Sequence, residues 1–415
     1  MTLGGSLDMT ERAPVRRFGV VGAGTIGSGV VRLLSDLGAQ VVVVAPRPGG
    51  VQRAVDTVRG SYMVDVERGR LCAADAYARL RSIRFTPSYA DLDGVECVIE
   101  SVAEDLKTKQ DVLAAVEAVV APDCIIGSNT SSIPIARVAA TAARPDRVIG
   151  THYFWPAHRY RLVEIATAAA TSERTLRWTL AMASWQGKVP LTVRDSPGFF
   201  TTRILLVYLN EAMALVEEGA SIESVDSAMK AFGWAMGPFR LMDAVGVEIL
   251  RGVHDAISGH LGVRVASVER LRTLLEAGYL GHGRSRRADA KGFYVDPEGR
   301  VVDTRVYPLL GRSARGFPSS TDVCTRPVWQ MVNEIGHCLA EGVVASTDDA
   351  DLGAVLGIGW PQALGGPLEY ARRVGTDTIV GQLATWAQRR GPRFAPSRYW
   401  TPLASVSAGQ SAHVG

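Results

Sequence analysis

Residues 18–29 read Phe-Gly-Val-Val-Gly-Ala-Gly-Thr-Ile-Gly-Ser-Gly, an apolar strand that runs into a glycine-rich turn and opens a helix. A dinucleotide pyrophosphate needs that order of elements. Gly22 permits the tight turn, Gly24 lets the backbone approach the phosphates, and Gly27 lets the helix pack close to the strand. The first helical residues, Thr25 and Ile26, then present free N–H groups and the positive helix end to the anion. Glycine turns are common, so the flanks carry the reading. Phe18 to Val21 precede the turn, Val30, Val31, Leu33 and Leu34 follow it, and Val41 to Val44 form a second strand. Gly22, Gly24, Thr25, Ile26 and Gly27 are the candidate cofactor-binding residues.

The second strand ends unusually. An NAD site places Asp or Glu about 20 residues past the glycines, on the ribose 2′-hydroxyl. Here Ala45 stands there, followed by Pro46, Arg47 and Pro48. Losing the carboxylate removes repulsion against a 2′-phosphate, and Arg47 can pair with one in a bidentate way. The cofactor expected is NAD or NADP, with a slight lean to NADP. The alternative is an exposed loop arginine beside a weakened NAD site.

Composition narrows the class. With 415 residues, 47% of them hydrophobic and 21% charged, the chain suits two or three globular domains. A net charge of +3 with dispersed arginines speaks against a nucleic-acid partner. Cys72, Cys97, Cys124, Cys324 and Cys338 show no CxxC spacing, so a reducing compartment, no disulfide framework and no metal site are expected. No apolar run is long enough to span a membrane, and no signal-peptide core is present. A cytoplasmic location without membrane contact is the expectation, with residues 1–14 and 405–415 as frayed tails.

Residues 16–193 alternate strand and helix signals, with further strands expected at Glu96 to Glu100, Cys124 to Gly127 and from Arg147. From Asp195 the pattern turns helical and repeats. Leu209-Asn210-Glu211-Ala212 with Glu218-Gly219 returns 123 residues later as Val332-Asn333-Glu334-Ile335 with Glu341-Gly342. Gly233-Trp234 and Gly237-Pro238 return as Gly359-Trp360 and Gly366-Pro367, with Asp226 and Asp351 between. Four matches in one order indicate a duplicated domain. The fold expected is an α/β Rossmann-type doubly wound parallel sheet (15–194), followed by two related all-α domains (195–300 and 315–402).

Further motifs lie behind the glycine turn: Ser128-Asn129-Thr130-Ser131-Ser132, Gly150-Thr151-His152-Tyr153-Phe154-Trp155-Pro156, Leu162-Val163-Glu164, and Asp195-Ser196-Pro197-Gly198-Phe199 leading into Arg203. Together they resemble the 3-hydroxyacyl-CoA dehydrogenase family over nearly the whole chain. The tandem helical part is similar to the dehydrogenase part of multifunctional fatty-oxidation enzymes, without a hydratase domain. The resemblance implies NAD(P)-dependent interconversion of 3-hydroxyacyl and 3-oxoacyl thioesters, carried by CoA or a carrier protein. Such chemistry needs a base for the hydroxyl proton and an acid for its return, and histidine serves both near neutral pH. His152 matches the family's acid–base and Glu164 its orienting carboxylate.

The resemblance also makes Ser131 the serine on the substrate oxygen, although alone it reads as a helix cap for Pro134 to Ala140. Glu104 and Lys109, in Glu104-Asp105-Leu106-Lys107-Thr108-Lys109, match cofactor contacts; alone they read as a solvated helix face. Ser61 and Arg68 fall where the family touches the nucleotide end of CoA, with Arg53, Arg59 and Arg70 nearby. Arg286 or Arg287 stands in for a late cofactor lysine. Two departures bear on substrate: Trp155 and Thr202 each occupy a position where the family has asparagine. An indole is larger and offers one donor, so the acyl pocket is expected to be rebuilt around kept acid–base machinery. Alternatives are a specialised biosynthetic dehydrogenase and a non-catalytic binding protein of the same fold. The duplicated helices are expected to make, within one chain, the contact that single-copy relatives make as dimers.

Overall fold

The computed structural model describes residues 17–265, 269–283, 290–311 and 317–400. The expected frayed tails, Arg286 and Arg287 lie outside these residues. The chain divides into two compact units at the Asp195–Ser196 bond.

The first unit is built on strands β1 (Arg17–Val21), β2 (Gln40–Val44), β3 (Ile83–Thr86), β4 (Cys97–Glu100), β5 (Ile125–Ser128), β6 (Val148–Tyr153), β7 (Leu162–Thr167) and β8 (Val189–Arg194). Its helices are α1 (Thr25–Asp36), α2 (Gly50–Glu67), α3 (Ala73–Arg81), α4 (Leu106–Glu117), α5 (Ile135–Val138) and α6 (Glu173–Trp185). The strands form one sheet in the order β3-β2-β1-β4-β5-β6-β7-β8. Successive strands are added on one side of β1 up to β3 and on its other side from β4, and a doubly wound fold opens its ligand crevice where the strand order switches in this way. Phe18, Val20, Val30, Leu34, Val41, Val43, Tyr62 and Ile99 are buried in the core cluster. Strands covered on both faces read as unbroken apolar runs, which is why β1 and β2 were legible.

The sheet is not parallel throughout, which corrects the expectation. Strand β7 runs antiparallel to β6 and parallel to β8. The reason is connection length. A parallel return needs a crossover of a dozen or more residues, and residues 154–161 are too few. The chain therefore turns back on itself, and that reversal builds the site described below.

The second unit is helical: α7 (Thr201–Glu217), α8 (Ile222–Phe232), α9 (Pro238–Val245), α10 (Val247–Leu261), α11 (Glu269–Glu276), α12 (Val306–Leu310), α13 (Ser320–Ala340), α14 (Thr347–Gly353), α15 (Pro367–Val374) and α16 (Thr376–Arg390). The repeated motifs do the same work in both halves of this unit. Asp226 accepts the Phe239 and Arg240 N–H groups at 2.9 and 3.1 Å, closing the start of α9. Asp351 accepts the Leu368 and Glu369 N–H groups at 2.7 and 3.0 Å at the start of α15. Gly237 and Gly366 are required there, because a Cβ on either would collide with that aspartate. Proline follows each glycine at the first helical position, where its missing N–H is no loss.

Helices α7 and α13 pack together, and their charges pair reciprocally. Arg203 meets Glu334 at 2.5 Å and Glu341 at 2.7 Å, while Arg326 meets Glu211 and, at 2.7 Å, Glu218. The triads Arg203/Glu211/Glu218 and Arg326/Glu334/Glu341 are the same three positions of the repeat, 123 residues apart. A second arginine joins each cluster: Arg264 on Glu334 and Arg393 on Glu211, both at 3.0 Å. Trp234 and Trp360, also repeat partners, meet edge to face at 5.8 Å.

Candidate active site

The glycine turn sits at the carboxyl end of β1, beside β4. Gly22 has φ +91°, a conformation that suits glycine, and a Cβ there would lie 2.6 Å from the Ser101 carbonyl oxygen. A Cβ on Gly27 would strike the Gly22 carbonyl oxygen, so α1 packs as closely as its sequence allows. Gly24 is different: nothing lies within 4 Å of where its Cβ would be. It forms the N-cap of α1 and no side chain caps the helix there. Exposed Thr25 and half-buried Ile26 follow. The turn is thus tight at both ends and open in the middle, and a pyrophosphate fits that opening.

His152 is the fifth residue of β6 and Glu164 the third of β7, and the antiparallel register places them directly opposite each other. His152 Nδ1 lies 2.9 Å from Glu164 Oε2. Glu164 is fully buried and His152 is 8% exposed. The spacing in the sequence therefore measures a hairpin-like return, and the His–Glu pair is a cross-strand pair at the carboxyl edge of β6.

Ser131 follows β5 in a loop gathered by one carboxylate. Glu104 Oε1 accepts from Thr130 Oγ1 (2.7 Å), the Ser131 and Ser132 N–H groups (2.9 Å each) and Ser132 Oγ (2.8 Å). Its other oxygen faces Lys109 Nζ at 3.2 Å. Lys109 also donates to Glu100 at 3.0 Å, and Glu100 accepts from Ser128 Oγ at 2.6 Å. Burial pushes the Glu104 carboxyl up, but Lys109 and the hydroxyl and amide donors outweigh it and hold it below its usual range. Lys109 is 1% exposed, so the solvated-helix-face reading of this segment is corrected: the lysine is buried between two carboxylates. The helix-cap reading of Ser131 is also corrected. Asp195, not Ser131, accepts the Ile135 and Ala136 N–H groups at the start of α5, at 2.7 and 2.8 Å.

The remaining candidates lie on other elements. Ala45 follows β2 and is half-buried, and Arg47 two residues on is exposed, with no ion pair among the described residues. Ser61 lies on α2 and Arg68 caps its C-terminus, two helical turns further along. The Ser61 hydroxyl donates to Val58 O at 2.7 Å, and its carbonyl accepts from Arg32 at 2.6 Å. Trp155 is 56% exposed in the β6–β7 connection. Thr202 is the second residue of α7, in the helical unit. Sequence reasoning missed the anchors: Glu100, Lys188 and Asp195, and Asn129, whose side chain accepts Tyr153 N–H at 2.8 Å and donates to Ser101 at 3.1 Å. Only Asn129 and Asp195 stood within a quoted motif. The others act through tertiary contacts that leave no spacing signature.

Known proteins resemble this chain in sequence and fold. Residues 17–196 match the family model for the 3-hydroxyacyl-CoA dehydrogenase NAD binding domain, and residues 198–295 match that for its C-terminal domain. The crystal structure of (S)-3-hydroxybutyryl-CoA dehydrogenase PaaH1 from Ralstonia eutropha is 36% identical, covering 65% of this chain and 96% of that one, with a TM-score of 0.61. FadB2 of M. tuberculosis is 34% identical over 64% of this chain and 95% of that one, at a TM-score of 0.63. The dehydrogenase part of multifunctional enzyme 1 from C. elegans is 25% identical and extends over 94% of this chain and 89% of that one, at a TM-score of 0.63. Among the described residues no helix is long and apolar enough to cross a membrane. The chain belongs to the 3-hydroxyacyl-CoA dehydrogenase family, NAD-binding oxidoreductases that act on a CH–OH group.

Proposed function

We propose that this chain interconverts a 3-hydroxyacyl thioester and its 3-oxo form, with His152 as acid–base and Glu164 as the residue that orients it. The 2.9 Å contact between His152 Nδ1 and Glu164 carries the reading. Glu164 accepts from Nδ1–H, which fixes the tautomer and assigns proton exchange to Nε2. The nicotinamide cofactor, when bound, exchanges hydride with the carbinol carbon. Ser131, on the loop gathered by Glu104, donates to the substrate oxygen, and Glu104 with Lys109 shapes the cofactor side of that loop. Gly22, Gly24, Thr25, Ile26 and Gly27 hold the pyrophosphate. A decayed binding protein has no reason to keep a buried histidine–carboxylate pair, so the catalytic reading is preferred.

Ala45 and exposed Arg47 favour acceptance of a 2′-phosphate, hence NADP beside NAD. Ser61 and Arg68 meet the nucleotide end of a CoA thioester; an acyl carrier protein is the alternative carrier. The reciprocal α7–α13 pairing supports the reading that one chain makes for itself the contact that single-copy relatives make between subunits. Such a chain has one active site and works in the cytoplasm. The test is reduction of acetoacetyl-CoA by NADH and NADPH in the wild type and in His152→Ala. Turnover lost in the variant, with cofactor affinity kept, is expected; equal turnover overturns the assignment.

A further inference from the structure

We propose that Trp155 determines substrate specificity and that the acyl group it selects is aromatic. The inference rests on the dehydrogenase reading above. It starts from the connection between β6 and β7, residues 154–161, which leaves the strand carrying His152.

This connection is held at many points. Ala157 is seated on α1, where a Cβ at Gly29 would lie 3.1 Å from Ala157 N and 3.2 Å from its Cβ. Lys188, 8% exposed, donates its ammonium to the Ala157 and Tyr160 carbonyls. Arg159 pairs with Asp65 at 3.2 Å. Pro156 O accepts the Arg159 and Tyr160 N–H groups at 2.9 and 3.1 Å. Phe154 packs 4.5 Å from the His152 ring and stacks on Tyr160 at 6.0 Å with 24° between planes. Within this fixed frame Trp155 is the most exposed large apolar side chain, with 56% of its surface open against 36% for Tyr160.

A large aromatic left exposed on a rigid connection beside an acid–base group is a preorganised surface. A ligand that covers it loses little ordering entropy, because the loop is already ordered. The indole offers one N–H donor and no acceptor, so its remaining surface recognises shape and π-face rather than polarity. A short straight acyl chain has no face to lay on it. An aryl ring attached to the reacting carbonyl has one, and aromatic pairs favour stacked or edge-on packing. Phe154, the neighbour of Trp155 in the chain, meets both the His152 ring and Tyr160.

The experiment compares kcat/KM for 3-oxo-3-phenylpropionyl-CoA and acetoacetyl-CoA in the wild type, Trp155→Asn and Trp155→Phe. The wild type should prefer the aryl thioester. Trp155→Asn should lower that preference roughly tenfold or more, the scale on which pocket contacts discriminate. Trp155→Phe should keep most of it, and KM for the nicotinamide cofactor should stay unchanged. A wild type that prefers acetoacetyl-CoA overturns the proposal, as does a Trp155→Asn variant in which both thioesters fall equally. A changed cofactor KM with an unchanged ratio would place the indole on the cofactor instead. A wild type that turns over neither thioester would count against the dehydrogenase reading itself, which keeps the two failures apart.

Discussion

On the proposed reading, the chemistry at His152 depends on a single opposed pair of residues. Removing a general acid–base group typically lowers the rate by about 10² to 10⁴. His152→Ala is expected to fall in that range in kcat, with cofactor affinity measured by titration left in place. Glu164→Gln keeps the shape but replaces the accepting carboxylate with an amide that can present either end to Nδ1, so it should lower kcat by loosening the hold on the ring. Arg47 provides a separate test at this scale. Losing a phosphate–arginine hydrogen-bonded pair costs roughly 1.5 to 3 kcal/mol. Arg47→Ala should therefore reduce kcat/KM with NADPH by about tenfold or more and leave NADH almost untouched. An unmoved ratio removes the NADP reading. These residues were visible in the sequence because His152, Glu164 and the glycines stand in local motifs. What the sequence concealed was why the pair meets: the antiparallel return of β7 is a property of strand order, which no local spacing encodes. Lys109 shows the opposite failure. Its neighbours on α4 look solvated, yet Glu100 and Glu104 bury it.

Between elements, the α7–α13 seam places two arginines, each fully buried, against carboxylates from the other helix. Taking two charges out of water is costly, and the pairs offset that cost only while both partners remain. Arg203→Met and Arg326→Met should each destabilise, by less than the roughly 3 to 5 kcal/mol of a fully stranded buried charge, because Arg264 still pairs with Glu334 and Arg393 with Glu211. The reciprocal geometry adds a sharper expectation. Replacing Arg326 and Glu211 together with apolar residues of similar volume should recover much of the loss, whereas replacing Arg326 with Glu334, which belongs to the other cluster, should not. Thermal unfolding of the single and double variants checks this. Equal losses in both doubles would mean that the two clusters are one network. The repeat was legible because Asn-Glu, Gly-Trp and Gly-Pro recur in order, and each recurrence has a mechanical cause in an ion pair, a ring contact or a cap. Strands β3, β7 and β8 were not legible: β3 and β8 are half-exposed edge strands, and β7 follows a connection without a helix.

Across the whole molecule, stability should respond to acid through histidines that the fold keeps neutral. Burial pushes His337 down to about 4, with Arg264 and Arg203 adding to the effect and Glu341 and a hydrogen bond to Ala395 opposing it. Burial pushes His158, in the other unit, down to about 4 as well, with Arg32 and Arg159 adding to it and Asp36 and Asp65 opposing. An unfolded histidine titrates near 6.5. Between about pH 6.5 and 4 the unfolded chain thus binds protons that the folded chain does not, and stability falls as pH falls. Other groups pull the opposite way. Burial raises Asp243 to about 6 despite the Phe293 and Tyr294 N–H groups it accepts, so its folded form takes up a proton first and its contribution grows on acidification. A raw pH–stability curve mixes these signs. The difference between wild type and His337→Gln does not, since Asp243 and the remaining groups are common to both. Urea midpoints at pH 7 and pH 4.5 should show the wild type losing more stability than the variant, by at most about 3 kcal/mol for a shift of this size. Parallel losses in the two proteins would mean that His337 carries its proton in the folded state, and the buried-neutral account of that helix would fail.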